Sequence, residues 1–263
     1  PMLILQRFNF LALHRNFFTN IMSTKYSPVN VFAKPYIEFK ASVKQNKFIS
    51  CHSENAAGVL SILSLNSFSK DTTKNRKTTN TTKINLILSN NVFANSQTQS
   101  SGGVLVFDPS TYSFSRSNIS ITNCVFRNNS AGSRGGAVYV KNANFIKIVN
   151  SSFVSCKSVT SGGAIYAYKV DIIVQLMCSF ISNTAHFKGG SIYVFLAKKV
   201  ISMNTNFSSE HHEPMLKSIY FTNGTGCYLN HVYAFESVGC IYSYLRGSFG
   251  SALYIDDVYF ITF

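Results

Sequence analysis

The feature that most restricts the fold of this chain is a fixed spacing of ten residues between a phenylalanine and a small residue, usually the second glycine of a Gly-Gly pair. The regular copies are Phe48/Gly58, Phe93/Gly103, Phe126/Gly136, Phe153/Gly163 and Phe180/Gly190, followed by degenerate copies at Phe207/Lys217 and Ile241/Ser251. The basic step from one phenylalanine to the next is about 27 residues, and the longer steps contain insertions. Such self-similarity is typical of a repeat protein whose units stack on one another.

Each repeat contains two apolar stretches of strand length. One follows the glycine, as in AVYV at 137–140 and AIYA at 164–167, and the other precedes the phenylalanine. Three positions before the phenylalanine an asparagine recurs, at Asn90, Asn123, Asn150 and Asn204. An asparagine at one position between two strands predicts a turn whose side chains bond to the same group one coil away.

The period of this repeat favours stacked coils of short strands. It is shorter than the blade of a β-propeller, and its apolar runs follow a strand pattern rather than a helical one. We therefore predict an all-β fold, a parallel β-helix or pectin-lyase-like solenoid of about seven coils, over residues 36–263. Residues 1–35 lack the repeat and are predicted to form a leader or cap that is partly disordered. The polar, basic stretch at about 63–83 is predicted to be an inserted loop.

Strand alternation divides the stretch after the glycines into inner and outer positions. The second and fourth residues, such as Val138 and Val140, are apolar and predicted to lie inside. The third residue is the tyrosine of an external ladder formed by Tyr139, Tyr166, Tyr193, Tyr220 and, past the insertion, Tyr254. This ladder has two interpretations: a docking stripe for a carbohydrate or partner protein, or stacked like residues that stabilise the sheet face.

The remaining repeat positions are structural by prediction. The phenylalanines form an internal stack of Phe48, Phe93, Phe126, Phe153, Phe180 and Phe207. The glycines serve turn conformations or close backbone approach at Gly103, Gly136, Gly163 and Gly190. A phosphate-binding role for them would need a helix after the strand, and no helix is predicted.

Of the six cysteines, only Cys227 and Cys240 are predicted to be able to pair, as a disulfide of an extracellular protein. Cys51 and Cys156 share one repeat position three coils apart, so at about 4.8 Å per coil they are too distant. The same argument separates Cys124 from Cys178. Six glycosylation sequons, compatible with secretion, stand at Asn80, Asn118, Asn128, Asn150, Asn206 and Asn223.

The two interleaved motifs resemble those of the polymorphic outer membrane protein family, which was defined in chlamydial surface autotransporters. The glycine element stands here as GGAV at 135–138 and GGAI at 162–165, and the phenylalanine element as FRNN at 126–129 and FISN at 180–183. The resemblance implies a right-handed β-helix passenger that acts in adhesion or antigenic display. It implies an extracellular or cell-surface location, and it carries no catalytic residues over to this chain.

The composition restricts catalytic chemistry. The chain has ten Asp and Glu against 24 Lys and Arg, a net charge of +14. The alternative function is a polysaccharide-active enzyme, of the pectate lyase or polygalacturonase kind, or its inactive remnant, which needs Asp residues on adjacent coils. Asp171 instead falls in a position that neighbouring coils fill with Asn144 and Lys198. The densest polar cluster, Glu210–Glu213, is interpreted as a solvated loop. We predict no catalytic residue, no metal and no cofactor.

Two features that the sequence lacks, a membrane-spanning segment and a nucleic-acid recognition module, restrict the partners that we predict. The chain has no uncharged apolar run of the roughly 18 residues that a bilayer demands, so no membrane-spanning helix is predicted in this chain, which we interpret as a fragment. The basic loop at 70–83 lacks a nucleic-acid recognition module, so nucleic acid is not predicted as a partner. The expected partner is a glycan or a surface protein of a host cell or matrix. The oligomeric state is left open.

Overall fold

The computed structural model describes residues 3–6, 9–33, 38–64, 83–109, 117–209, 226–243, 245 and 252–263. Every regular element within these ranges is a β-strand. The strands in chain order are β1 (Leu3–Gln6), β2 (Phe10–His14), β3 (Phe17–Thr19), β4 (Met22–Ser23), β5 (Val29–Ala33), β6 (Glu38–Lys44), β7 (Lys47–Ile49), β8 (His52–Ser53), β9 (Leu60–Ser64), β10 (Lys83–Ser89), β11 (Val92–Ala94), β12 (Gln97–Thr98), β13 (Leu105–Asp108), β14 (Asn118–Thr122), β15 (Val125–Arg127), β16 (Ser130–Ala131), β17 (Val138–Val149), β18 (Ser152–Val154), β19 (Lys157–Ser158), β20 (Ile165–Leu176), β21 (Ser179–Ile181), β22 (Thr184–Ala185), β23 (Ile192–Met203), β24 (Asn206–Ser208), β25 (Cys227–Val238), β26 (Ile241–Ser243) and β27 (Leu253–Thr262).

The strands form three parallel sheets that run along the described column. The first sheet has 13 strands, the second has eight in the order β26-β24-β21-β18-β15-β11-β7-β3, and the third has six. Neighbours in the second sheet come from successive coils, so each coil contributes one strand and hydrogen-bonds to the coils before and after it. This arrangement confirms the predicted parallel β-helix.

Left-handed residues turn the chain from the first sheet into the second. The turn residue has φ between 45° and 61° in every described coil: Arg15, Gln45, Asn90, Asn123, Asn150, Met177, Asn204 and Gly239. Asparagine is enriched in this conformation, which explains its recurrence at this position. The exposed amides also join successive coils, since Asn123 Nδ2 donates to Asn90 Oδ1 at 3.1 Å and Asn150 Nδ2 donates to Asn123 Oδ1 at 2.9 Å.

The two glycines of each pair meet different requirements. The first, as at Gly135 (φ 64°) and Gly162 (φ 66°), adopts a left-handed turn. The second passes so close to the next coil that a Cβ on Gly136 would overlap the carbonyl oxygen of Gly163. The Gly-Gly pair therefore combines a turn with a backbone contact that leaves no room for a side chain.

The interior is a continuous apolar column whose axis is marked by stacked aromatic rings. Successive rings of the second sheet lie 4.5–5.3 Å apart between centroids, in the order Phe18, Phe48, Phe93, Phe126, Phe153, Phe180, Phe207 and Tyr242. The six phenylalanines from Phe48 to Phe207 are at most 1% exposed. Val138 and Val140 lie buried in the same core, as strand alternation predicts.

Buried asparagine side chains join successive coils by hydrogen bonds at two of the turns between sheets. Asn183 Oδ1 accepts the backbone N–H of Cys156 at 2.9 Å, and its Nδ2 donates to the carbonyl of Phe153 at 2.9 Å. Asn129 makes the same contacts with the coil of Ser96. These are the asparagines of the FRNN and FISN motifs. At the preceding corner Asn91 Oδ1 accepts the backbone N–H of Asn46 at 2.9 Å.

Two sequence predictions about the ends of the column need correction. Residues 10–33 are not a non-repetitive leader, because β2 to β5 form a coil in register with β6 to β9 and Phe18 pairs with Phe48. Pro28 stands ten residues after Phe18, so the glycine signal is missing there. At the other end Tyr242, not Ile241, pairs with Phe207. The predicted loop at 63–83 falls largely outside the described residues, while Leu63 lies within β9 and Lys83 begins β10.

Candidate binding surfaces

The tyrosine ladder occupies one outer row of the first sheet. The rings stack in the order Tyr139, Tyr166, Tyr193, Tyr228 and Tyr254, with centroids 5.3, 5.1, 5.2 and 4.5 Å apart. The residue paired with Tyr193 is Tyr228, which replaces the predicted Tyr220. Tyr220 itself lies outside the described residues. The long insertion between β24 and β25 moves the strand away from the position that the repeat spacing predicts.

The ring faces of this stack are covered. Tyr166 and Tyr228 are only 7% exposed, although they lie on the outer side of the sheet. The Arg134 guanidinium lies 5.2 Å from the Tyr166 ring centroid and the Lys188 ammonium 4.7 Å from that of Tyr228. Sugars bind aromatic residues through their ring faces, and here neighbouring rings and cations occupy those faces. The geometry is that of a packed stack.

Burial of the stack also changes the acidity of its hydroxyl groups. Desolvation raises the pKa of Tyr139 and Tyr166, and it raises the pKa of Tyr193 to about 12. The positive charge of Arg134 opposes the shift at each of these residues without cancelling it. The phenols therefore remain neutral hydrogen-bonding groups at physiological pH.

Asp171 shows how the carboxylates of the outer surface are engaged. It accepts from Asn144 Nδ2 at 3.1 Å on the coil before and pairs with Lys198 Nζ at 3.0 Å on the coil after. Asp108 pairs with Lys141 at 3.2 Å. Among the described residues no group of three His, Cys, Asp or Glu side chains is placed to hold a metal ion. The Glu210–Glu213 cluster lies outside those residues.

A groove with basic walls crosses the other half of the first sheet. We call it the lysine groove; it has a volume of about 570 Å³ and is lined by Phe10, Lys40, Ser42, Lys44, Asn85, Ile87, Asn118, Ser120, Phe145 and Lys147, among others. These side chains occupy outer positions of β2, β6, β10, β14 and β17. The repeat pattern alone does not predict the groove, although the alternation of β6, with Lys40, Ser42 and Lys44 on one face, indicates an outer row of side chains.

A second, more polar groove lies on the third sheet. Its floor is the row of outer residues Gln97, Ser130, Lys157 and Thr184, one from each of four successive coils. His186 and Val159 form part of its wall. This groove was not predicted either, because strands of two residues, such as β12 and β16, have no readable alternation.

The cysteines are free thiols. The predicted Cys227–Cys240 disulfide is not formed: Cys227 occupies an inner position of β25 beside Ile192, whereas the Cys240 thiol donates to the carbonyl of Ser202 at 3.2 Å. Burial raises the pKa of the Cys51 thiol to about 11 and that of Cys156 to about 12. Such thiols are small core residues rather than nucleophiles.

The four described sequons differ in access. The side chains of Asn118, Asn128 and Asn150 are exposed. Asn206 has a buried Oδ1 without a hydrogen-bond partner in the described structure. Asn80 and Asn223 lie outside the described residues. The structure thus places three acceptor asparagines on the solvent side of the column.

Three parallel sheets around stacked rings define a parallel β-solenoid. Within it, residues 123–141 match the family model described as the Chlamydia polymorphic membrane protein (Chlamydia_PMP) repeat. The match runs from the left-handed turn at Asn123 through Phe126 and the Gly135-Gly136 pair into β17, so the matched segment contains the phenylalanine and glycine elements of one coil.

No curated protein matches the chain, and no solved structure does. Across the part of the chain that the structure describes, no helix has the length and apolarity needed to cross a bilayer.

Proposed function

We propose that this protein is a non-catalytic β-solenoid of the cell surface or the extracellular space, and that it acts by adhesion, binding or antigenic display. The observation that carries the proposal is the match of residues 123–141 to a polymorphic membrane protein repeat, in a coil that stacks in register with its neighbours. Solenoids of this type present long outer rows of side chains to partners.

The state of the carboxylates supports a binding role over catalysis. A polysaccharide lyase or hydrolase needs carboxylates placed together for calcium or for acid and base chemistry. Asp171 is held between an amide and an ammonium group, and Asp108 is paired with Lys141. No observation on the described residues favours the enzyme over the binding protein.

The proposed partner is a glycan or a surface protein of a host cell or matrix. Because the faces of the tyrosine rings are covered, we assign polar contact with a glycan to the lysines, amides and hydroxyls of the two grooves. Those groups bind sugar hydroxyls and acid groups by hydrogen bonds and ion pairs.

The proposal is tested by exposing the full chain to immobilised neutral, uronic and sulfated polysaccharides. Retained protein and released reducing ends are recorded in the same samples. We expect retention without release. Release of reducing ends or unsaturated products would contradict a non-catalytic role, and retention on none of the polymers would contradict glycan binding. Antibody labelling of intact native cells tests the location: labelling without permeabilisation is expected, and labelling only after permeabilisation would contradict it.

A further inference from the structure

We propose that the lysine groove is a binding site for a linear acidic polysaccharide. This inference rests on the proposed function and adds the site and the class of ligand. It depends on the shape of the groove, on its uncompensated charges and on the mixed chemistry of its lining.

The groove has the dimensions of a ligand site. Its volume of about 570 Å³ falls within the range of roughly 300–1,000 Å³ that is usual for such sites. It crosses five strands, β2, β6, β10, β14 and β17, which at about 4.8 Å per strand gives a length of roughly 19 Å along the column. A linear polymer can therefore lie along the solenoid axis and contact outer side chains of each of the five strands.

The groove carries positive charge that the described protein does not neutralise. Lys44 and Lys147 are exposed, and neither forms an ion pair with a described carboxylate. The carboxylate of Glu38 pairs with both Lys40, at 3.7 Å, and Lys83, at 3.3 Å. An occupant with acid groups would find two uncompensated ammonium groups, separated along the axis by the strands β10 and β14.

The rest of the lining suits a sugar ring better than an isolated anion. Asn118 Nδ2 donates to Asn85 Oδ1 at 3.3 Å, and Asn85 Nδ2 donates to Glu38 at 3.1 Å. Together with the hydroxyls of Ser42 and Ser120, these exposed amides form a polar lining that matches the hydrogen-bonding pattern of sugar hydroxyls. Ile87 is 42% exposed and, with Phe145, offers an apolar floor for the C–H face of a ring. Cations, neutral polar groups and apolar surface thus alternate over one groove.

The test measures affinity of the full chain for heparin, polygalacturonate and neutral dextran by calorimetry or biosensor at several salt concentrations. The groove variant is Lys44→Gln/Lys147→Gln. Its matched control is Lys47→Gln/Arg127→Gln, which removes two exposed basic residues of the second sheet, outside both grooves, with the same loss of charge. A further variant, Ile87→Ser, changes the floor without changing the charge.

We expect wild-type protein to bind the two acidic polymers and not dextran. The groove variant should bind about tenfold more weakly, and the slope of log affinity against log salt should fall by about two. The control variant should change affinity less than about threefold, and Ile87→Ser should weaken binding at unchanged salt slope. Thermal melts of all variants check that they remain folded.

Four results would overturn the inference. Equal weakening in groove and control variants would assign binding to overall charge. Unchanged binding in Ile87→Ser together with tight binding of duplex DNA that depends on Lys44 and Lys147 would reassign the groove to polyanions in general. Unchanged binding in the groove variant would refute the groove as the binding site while leaving glycan binding intact, whereas wild-type protein that binds no polymer would refute the glycan binding on which the inference rests.

Discussion

Asn183 bonds to the preceding coil through both ends of its side-chain amide, accepting from the backbone N–H of Cys156 and donating to the carbonyl of Phe153, each at 2.9 Å. The residue is 1% exposed, so these bonds are shielded from solvent in the folded protein. The asparagine of the repeat motif is therefore a structural bridge between coils rather than a contact for a ligand.

Replacing this bridge should destabilise the column. We expect Asn183→Ala to lower the free energy of unfolding by about 1–3 kcal/mol, because a backbone N–H and a carbonyl lose their buried partners. Gln99→Ala removes an exposed amide and should change stability by less than about 0.5 kcal/mol. Denaturant unfolding followed by circular dichroism measures both; equal stability of the two variants would contradict the bridge.

The aromatic stack should be more sensitive still. Phe153 is fully buried between Phe126 and Phe180, with ring centroids at 4.5 Å and 4.9 Å. Phe153→Ala should cost about 3–5 kcal/mol, through lost burial and the cavity left behind. Phe187 is 51% exposed, and Phe187→Ala should have little effect in the same melts. A loss below about 1 kcal/mol for Phe153→Ala would show that the stack is not the core.

The second glycine of the pair should tolerate no side chain. A Cβ on Gly163 would overlap the carbonyl oxygen of Gly190 on the next coil, and backbone of both coils has to shift to admit it. We expect Gly163→Ala to destabilise by about 3 kcal/mol or more. Ser161→Ala, two residues earlier, is the control and should be nearly neutral. Wild-type stability of Gly163→Ala would mean that the coils are further apart than described.

The tyrosine stack should make stability depend on alkaline pH. Burial raises the pKa of Tyr193 from 10.0 to about 12, so the unfolded chain loses its phenolic proton first. The stabilisation of the folded state by neutral Tyr193 is fully present below pH 10 and is lost as the pH rises towards 12. Tyr193→Phe should show a smaller loss of stability over that interval. Phenolate absorbance and β-sheet dichroism, recorded together, check this; equal alkaline sensitivity of both proteins would contradict it.

The sequence predicts the repeating part of the fold because the repeat positions have distinct physical demands. Phe126, Phe153 and Phe180 recur at a constant interval because each ring stacks on the next, and the second glycine recurs because a Cβ on it would overlap the backbone of the next coil. The spacing does not reveal the coil of Phe18 because that coil is one residue shorter: Val29 pairs with Leu60, which places Ser27, nine residues after Phe18, opposite Gly58. The repeat spacing predicts Tyr220 instead of Tyr228 because spacing alone does not give the length of the insertion before β25.

The candidate binding surface was harder to predict for a related reason. Lys44 and Lys147 are over a hundred residues apart, and two insertions of unequal length lie between them. The two lysines line one groove only because β6, β10, β14 and β17 pair in this order and register. Conversely, the tyrosine ladder was visible in sequence, but burial of its rings depends on the neighbours Arg134 and Lys188, which the repeat does not specify.

The tyrosine stack and both grooves exist only if each coil lies directly against the preceding one in fixed register. Cross-linking of paired residues tests this stacking most directly. Ser152 pairs with Ser179 on the next coil, and Asn206 lies one coil further. In a Cys240→Ser background, oxidised Ser152→Cys/Ser179→Cys should form the new disulfide, detected by peptide mass spectrometry. Ser152→Cys/Asn206→Cys should not, because two coils separate the thiols by roughly 10 Å. Efficient bridging of the second pair, or none of the first, would contradict the solenoid.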